Sequence, residues 1–254
     1  MTGHTAPRQI APAVAALGDP RAAPDAGWVA KLLGAEPERV RAVLAELIAA
    51  APLEKEIRRT LVGGGRSHYA QISGPFELYA LTRILRPEHI LEVGVSSGIS
   101  SAHFLLALDR NRTGRLHSID LPTHQRGFRH TPGESPVSLP PGRRSGWAVP
   151  ASLRDGWDLR IGPSQRLLAP LIAELPRVDL FLHDDLHTPE HLAFELKTLR
   201  PRLRPGSVVL ADNTSWTGDA LDRFASELGG TISVRTGTDL AGFRVPAWAE
   251  PGPR

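Results

Sequence analysis

The chain of 254 residues contains no cysteine, which excludes a disulfide framework and thiolate chemistry. Lysine is also scarce, occurring only at Lys31, Lys55 and Lys197, so arginine carries nearly all the positive charge. The formal net charge is only +3 and no dense basic run occurs, which argues against nucleic acid as a partner. No apolar run is long enough to span a bilayer, and the first residues lack a secretory apolar segment. We therefore expect a cytoplasmic protein that does not bind membranes.

The most informative stretch runs from residue 89 to residue 120, HILEVGVSSGISSAHFLLALDRNRTGRLHSID. An apolar run ends in a turn with Gly94 and Gly98, a helical pattern follows, and a second apolar run ends on Asp120. This order predicts one βαβ unit of a parallel sheet. Glycines let the turn approach a ligand closely, and the helix start offers free N–H groups. Because Asp120 can accept hydrogen bonds from both hydroxyls of a ribose, the unit predicts a nucleoside pocket.

The glycine spacing indicates which nucleoside. Dinucleotide-binding turns carry G-x-G-x-x-G, whereas here Glu92 precedes the pair Gly94-x-x-x-Gly98, which disfavours a nicotinamide dehydrogenase. This motif, with Asp120 at the next strand end, resembles class I S-adenosylmethionine (SAM) methyltransferases. The resemblance implies that the glycine turn backs the methionine moiety and that Asp120 binds the ribose. It also implies that Ser164 and the helix expected after it, over residues 167–175, edge the adenine. The alternative is a generic turn with a chance acid.

Polar residues also end the fourth and fifth predicted strands. Asp184 follows the strand that begins at residue 178, and Asp212 and Asn213 follow the buried residues 207–211. Because the carboxyl ends of neighbouring parallel strands open onto one crevice, these side chains are expected to converge there. Two carboxylates and an amide oxygen suit Mg²⁺ or a similar hard cation. The alternative is that the acids cap helices or pair with arginines.

The spacing from Asp184 to Asn213 resembles the metal-dependent O-methyltransferase branch of the class. ADNTSW (residues 211–216) is similar to catechol and caffeoyl-type enzymes, and D-x-x-H, from Asp184 to His187, is similar to macrolide-sugar O-methyltransferases. The resemblance implies an ion that binds the substrate oxygen and lowers its pKa, and His187 as general base. A histidine suits that role because its pKa lies near neutrality. His183 is the rival, with a structural role expected for the last residue of a strand.

Residues 25–50 read as two helices with a break at residues 34–37, an arrangement that resembles a helix-turn-helix. One interpretation is a DNA-binding module. The other is a helical hairpin that covers the main domain or forms a homo-oligomer contact. We favour the second, because the second helix carries acids among its few charges. The expected division is an N-terminal helical region at 1–65 and a methyltransferase domain at 66–250.

A long segment rich in Pro, Gly, Arg and His, residues 121–150, separates the second and third predicted strands. Long loops inside compact domains are typically functional. We expect a lid that covers the substrate, and the alternative is a surface insertion.

The sequence thus predicts an α/β fold, Rossmann-like, with a seven-stranded mostly parallel sheet, an antiparallel final strand and helices on both faces. The expected activity is SAM-dependent O-methylation of a small-molecule hydroxyl, in a bacterial secondary metabolite or sugar, assisted by a divalent cation. The alternatives are a metal-independent SAM-fold enzyme and a nucleic-acid-binding protein. The candidate residues are Glu92, Gly94, Ser97, Gly98, Asp120, Ser164 and Asp184 for the cofactor, Asp184, Asp212 and Asn213 for the metal, and His187 for catalysis.

Overall fold

The structure is a computed structural model that describes residues 24–49, 72, 74–121, 139 and 142–247. The strands are β1 (His89–Val93), β2 (Arg115–Asp120), β3 (Trp157–Ile161), β4 (Leu180–His183), β5 (Val208–Ala211), β6 (Ser233–Val234) and β7 (Ala241–Arg244). The α-helices are α1 (Ala26–Leu33), α2 (Pro37–Ala49), α3 (Pro75–Leu85), α4 (Ile99–Asn111), α5 (Ser164–Glu174), α6 (Pro189–Leu199) and α7 (Ala220–Glu227). Short 3₁₀ helices span Ala151–Gly156 and Arg200–Arg202.

The seven strands form one sheet in the order β3-β2-β1-β4-β5-β7-β6. Strands β1 to β5 are parallel, and β7 is antiparallel to both of its neighbours. The predicted α/β class and the antiparallel final strand are confirmed. The chain leaves β1 towards β2 and β3 and then returns to the other side of β1 as β4. In open α/β sheets, ligands bind where the strand order reverses, which here is at the carboxyl ends of β1 and β4.

Side-chain alternation along the central strands builds a core on each face of the sheet. Ile90, Leu180 and Leu182 join the cluster that α3 and α4 cover, whereas Leu91 and Phe181 join the cluster beneath α5, α6 and α7. Successive residues of a strand point to opposite faces, so a strand buried on both sides needs an unbroken apolar run. The predicted layering of helices on both faces is confirmed.

The helices α1 and α2 pack into the same core as α3. Trp28, Val29 and Leu44 are buried in that cluster, and the Trp28 indole N–H donates to the carbonyl of Ser233 at 3.0 Å. The apolar faces of both helices are thus used within the chain, as the hairpin interpretation expects. The expected boundary at residue 65 lies outside the described residues, and oligomerisation through these helices stays a prediction. None of the described helices is long and apolar enough to cross a membrane.

A buried ion pair joins α3 to the segment after the edge strand β6, and its carboxylate also holds the start of α1. Glu77 and Arg235 are each 1% exposed, and Arg235 Nε donates to Glu77 Oε1 at 2.5 Å. The same oxygen accepts the backbone N–H of Asp25 at 2.7 Å. Burial raises the pKa of Glu77 despite the guanidinium beside it.

Replacement of Glu77 by alanine is expected to lower the free energy of unfolding by about 3–5 kcal/mol, because it takes the buried carboxylate away from the buried Arg235 guanidinium. Urea denaturation followed by circular dichroism measures the loss. The matched control is Glu88→Ala, which removes one of the two acidic partners of the partly exposed Arg177 and should cost less than about 1 kcal/mol. Equal effects of the two substitutions would contradict this assignment.

Candidate active site

The turn between β1 and α4 has the conformation that its glycines allow. Gly94 has φ 94°, and a Cβ there would lie 1.9 Å from the carbonyl oxygen of Asp184. Gly98, with φ 90°, is the residue that precedes α4, and Ser96 between them also has a positive φ, at 48°. A side chain at residue 94 would therefore push the end of β4 away. The turn and the β4 end are packed backbone against backbone at the crevice.

Asp120 ends β2 beside this turn and is 8% exposed. Its Oδ1 accepts the backbone N–H groups of Val95 at 3.0 Å and Ser96 at 3.4 Å, and its Oδ2 accepts the hydroxyl of Ser145. Burial raises the pKa of Asp120, although all three hydrogen bonds favour the carboxylate. The turn and the acid that the sequence assigned to one pocket do lie together.

Two serine hydroxyls of the turn lack a hydrogen-bond partner within the described part of the chain. The Oγ atoms of Ser96 and Ser97 are buried, and neither has a hydrogen-bond partner among the residues that the structure describes. A buried hydroxyl without a partner is unfavourable. Such atoms at the first strand end of the crevice are suited to the polar groups of a ligand.

Glu92 lies beneath the turn rather than in the open crevice. It is fully buried, and its carboxylate accepts the hydroxyls of Ser100 at 2.5 Å, Ser101 at 2.7 Å and Ser118 at 2.6 Å. Burial outweighs these hydrogen bonds and raises the pKa of Glu92 to about 7. These contacts join the start of α4 to β2. Its role as a cofactor residue stays a prediction, and the contacts observed are those of a support for the turn.

Residues 142–149, which we call the strap, cover the glycine turn. The backbone N–H of Gly146 donates to the Ser96 carbonyl at 2.8 Å, and that of Ala148 donates to the Ser97 carbonyl at 2.9 Å. A Cβ on Gly98 would lie 2.8 Å from Gly146 Cα, so the two chains touch. The strap is the described end of the expected lid. Residues 122–138, 140 and 141 lie outside the described residues.

Because the Ser145 hydroxyl binds the Asp120 oxygen that is expected to receive a ribose hydroxyl, Ser145→Ala should tighten SAM binding about three- to tenfold. A three- to tenfold change corresponds to the net free energy of one hydrogen bond, here the bond from Ser145 to Asp120 that the cofactor would otherwise displace. Isothermal titration calorimetry with SAM measures the change, and Ser226→Ala, an exposed position on α7, is the control. Weaker binding by Ser145→Ala would mean that the hydroxyl helps to hold the cofactor.

The ends of β1, β4 and β5 adjoin one another. The N–H of Asp184 donates to the carbonyl of Val93 at 2.8 Å, and that of Asp212 donates to the carbonyl of His183 at 3.0 Å. Asp212 is 2% exposed, and Asn213 has φ 51°, a left-handed conformation that Asn tolerates. The predicted metal residues therefore follow strands that are neighbours in the sheet.

His187 lies in the loop between β4 and α6, and its Nε2 is 3.6 Å from Asp184 Oδ1. It is 7% exposed. Burial raises the pKa of Asp184, and the interaction with His187 partly opposes that shift. The proposed base and the first proposed metal ligand thus adjoin each other at the β4 end.

Ser164 begins α5, but its hydroxyl is directed to groups that the sequence did not link to it. Its Oγ lies 3.0 Å from His191 Nε2 and 3.4 Å from Asp185 Oδ2. His191 and Glu195 share one face of α6 and meet His183 from the end of β4. The i, i+4 spacing of the α6 pair was a visible signal, whereas its approach to β4 depends on tertiary packing.

Residues 91–214 match a family model described as a methyltransferase domain. The chain carries a methyltransferase domain. The match spans the glycine turn, both acidic strand ends and the loop with His187, and it confirms the class predicted from the motifs, that of SAM-dependent methyltransferases. No curated protein sequence matches this methyltransferase significantly.

Solved structures of other methyltransferases share the fold. TomG from Streptomyces achromogenes, an O-methyltransferase involved in tomaymycin synthesis and solved with SAM, is 19% identical over 77% of this chain and 89% of its own, with a TM-score of 0.51. The calicheamicin methyltransferase CalS11 is 19% identical over 89% of this chain and 91% of its own, at 0.51. The SAH-bound methyltransferase PaMTH1 of Podospora anserina is 16% identical over 75% and 85%, at 0.50. At such identities the likeness establishes the fold alone.

Proposed function

We propose that this methyltransferase transfers the methyl group of SAM to a hydroxyl of a small molecule, and that a divalent cation assists the transfer. The observation that carries the proposal is the set of polar groups at the glycine turn. The buried Oγ atoms of Ser96 and Ser97, without partners among the described residues, lie on the same turn whose N–H groups contact Asp120. These groups suit the two polar parts of SAM. The hydroxyls of Ser96 and Ser97 would bind its amino-acid end, and the carboxylate of Asp120 would bind its ribose.

The residues at the next two strand ends fit a cation. Asp184 and Asp212 are carboxylates of low exposure on adjacent strands, and Asn213 adds an amide oxygen. Hard divalent cations prefer such oxygen donors, and waters complete their coordination. A bound cation would offset the repulsion between carboxylates that share one crevice. It would supply Lewis acidity that lowers the pKa of a substrate hydroxyl.

SAM supplies an electrophilic methyl group on its sulfonium. The glycine turn and Asp120 would fix the direction of that group, and the crevice would hold the hydroxyl in line with it. His187 Nε2 would accept the hydroxyl proton while Asp184, 3.6 Å away, stabilises the resulting charge. The products are the methyl ether and S-adenosylhomocysteine (SAH).

The proposed class of methyl acceptor is based on the solved structures that share the fold. TomG is involved in tomaymycin synthesis and CalS11 is a calicheamicin methyltransferase, so both concern secondary metabolites. We propose an acceptor of that kind, a phenol or a sugar hydroxyl. Nucleic acid is not proposed as a partner, because the acidic residues Glu38 and Glu46 are among the few charges of α2.

A thermal-shift screen tests the cofactor directly. SAM and SAH are each expected to raise the melting temperature by several degrees at saturating concentration, and NAD and NADP are expected to leave it unchanged. Each ligand is added with and without Mg²⁺. A shift with NAD and none with SAM or SAH would refute the assignment.

A further inference from the structure

A second group of metal-ligating side chains lies behind the end of β4. It consists of His183, Asp185, His191 and Glu195, which we call the histidine–carboxylate cluster. His183 and Glu195 are fully buried, and His191 is 7% exposed. His183 is the last residue of β4, whereas His191 and Glu195 lie one turn apart on α6. The cluster does not include Asp212 or Asn213, and a metal ion bound there would not depend on the proposed function.

The distances in the cluster are those of ligands around one ion. His183 Nδ1 is 2.8 Å from Glu195 Oε2 and 3.2 Å from Asp185 Oδ1. One ligand atom from each of these three residues lies within 4.8 Å of the others. Ligand atoms bound tetrahedrally to Zn²⁺ are roughly 3.3 Å apart, so an ion requires only a small expansion.

His191 contacts the two carboxylates of the cluster on the side away from His183. Its Nε2 lies 3.0 Å from Asp185 Oδ2 and 3.1 Å from Glu195 Oε1, the oxygens that do not face His183. Metal-binding carboxylates are commonly held by such a second layer of hydrogen bonds. His191 would therefore act as a positioning residue that fixes both carboxylates.

Hydrogen bonding within the described residues leaves the cluster incomplete. Asp185 Oδ1 and His183 Nε2 are buried and have no hydrogen-bond partner there. Among the described residues, the two carboxylates contact imidazoles and the hydroxyl of Ser164, and Asp185 also accepts a backbone hydrogen bond from Leu186. Two carboxylates held this close together favour a positive charge between them.

We propose that His183 Nδ1, Asp185 and Glu195 bind a divalent transition-metal ion of the Zn²⁺ type. The mixed nitrogen and oxygen donors suit Zn²⁺ better than Mg²⁺, which prefers oxygen alone. Because His183 and Glu195 are fully buried, the ion has a structural role and takes no part in methyl transfer. It links the end of β4 to α6, and so it fixes both ends of the loop that carries Asp184 and His187.

Zinc content and thermal stability test this proposal without any assay of methyl transfer. The full chain is loaded with Zn²⁺, dialysed against excess Mg²⁺ so that the oxygen-donor site at Asp184 and Asp212 does not keep Zn²⁺, and analysed by inductively coupled plasma mass spectrometry. Wild type should retain about one Zn²⁺ per chain and melt at a higher temperature than the chelated protein. Glu195→Gln should retain almost none and should not respond to Zn²⁺. His191→Gln should bind Zn²⁺ about 10- to 100-fold more weakly.

Two matched controls separate this site from the proposed catalytic one. Glu190→Gln changes an exposed acid on the same helix, and Asp212→Asn changes the proposed catalytic site; both should retain about one Zn²⁺. Loss of zinc in Asp212→Asn, or its retention in Glu195→Gln, would overturn the proposal. So would a wild type that retains no zinc. If Glu195→Gln does not fold, Co²⁺ substitution of wild type decides, since low-symmetry nitrogen and oxygen coordination gives intense visible bands and their absence refutes the site.

Discussion

Replacement of Asp212 by alanine is expected to lower the rate of methyl transfer about 1,000-fold while SAM affinity changes less than about threefold. The substitution removes one of two carboxylates that would hold the cation, and a cation contributes several kcal/mol to lowering the barrier. SAM affinity should persist because its proposed contacts are on the β1 turn and at the end of β2. The residues proposed for catalysis and those proposed for SAM binding therefore follow different strands, and a substitution can affect one function without the other.

The measurement is release of SAH with an acceptor selected from a panel of phenols and sugar hydroxyl compounds, with and without EDTA. EDTA should inhibit wild type and have no further effect on Asp212→Ala. Binding of Mn²⁺, followed by electron paramagnetic resonance, gives a readout that needs no acceptor. Asp222→Ala, an exposed acid on α7, is the control and should match wild type in both. Full activity of Asp212→Ala in EDTA would dispose of the metal-assisted scheme.

Replacement of Asp120 by alanine is expected to weaken SAM binding about 100-fold. A ribose would donate two hydrogen bonds to this carboxylate, and bonds to a charged group contribute roughly 1.5–3 kcal/mol each. Part of that gain is offset by release of the Ser145 hydroxyl, which keeps the expected loss near the lower end. Titration calorimetry with SAM measures it.

The control for this substitution is Asp109→Ala, an exposed acid near the end of α4. It should bind SAM as wild type does. Circular dichroism must show that Asp120→Ala is folded, because the change also removes the acceptor for the N–H groups of Val95 and Ser96. SAM affinity unchanged in a folded Asp120→Ala would exclude the carboxylate from the nucleoside site.

Much of the fold follows from local pattern. The turn at Gly94, the helix α4 and the strand ending on Asp120 are predicted because their periodicity is local and each strand is buried on both faces. The convergence of Asp184 and Asp212 follows from one topological rule about parallel strands. The pairing of His183 with Glu195 has no such rule, since it depends on the register between β4 and α6.

Other features could not be predicted because the sequence shows which face is buried but not against what. Trp28 and Leu44 indicate apolar faces on α1 and α2. In the structure these faces pack in the same core as α3 and the sheet, not in a separate unit. Ser145 lies in a segment with neither helical nor strand periodicity, so the sequence could not predict its contact with Asp120. Glu92 was identified from its motif, but its three serine partners come from different elements.

A crystal structure of the wild-type protein with SAH tests the central claim most directly. We predict the nucleoside in the crevice at the carboxyl ends of β1 and β4, with its ribose hydroxyls within hydrogen-bond distance of Asp120 and its amino-acid end at the hydroxyls of Ser96 and Ser97. The Ser145 hydroxyl should have left Asp120. An empty crevice at saturating SAH, or a ribose bound away from Asp120, would contradict the account.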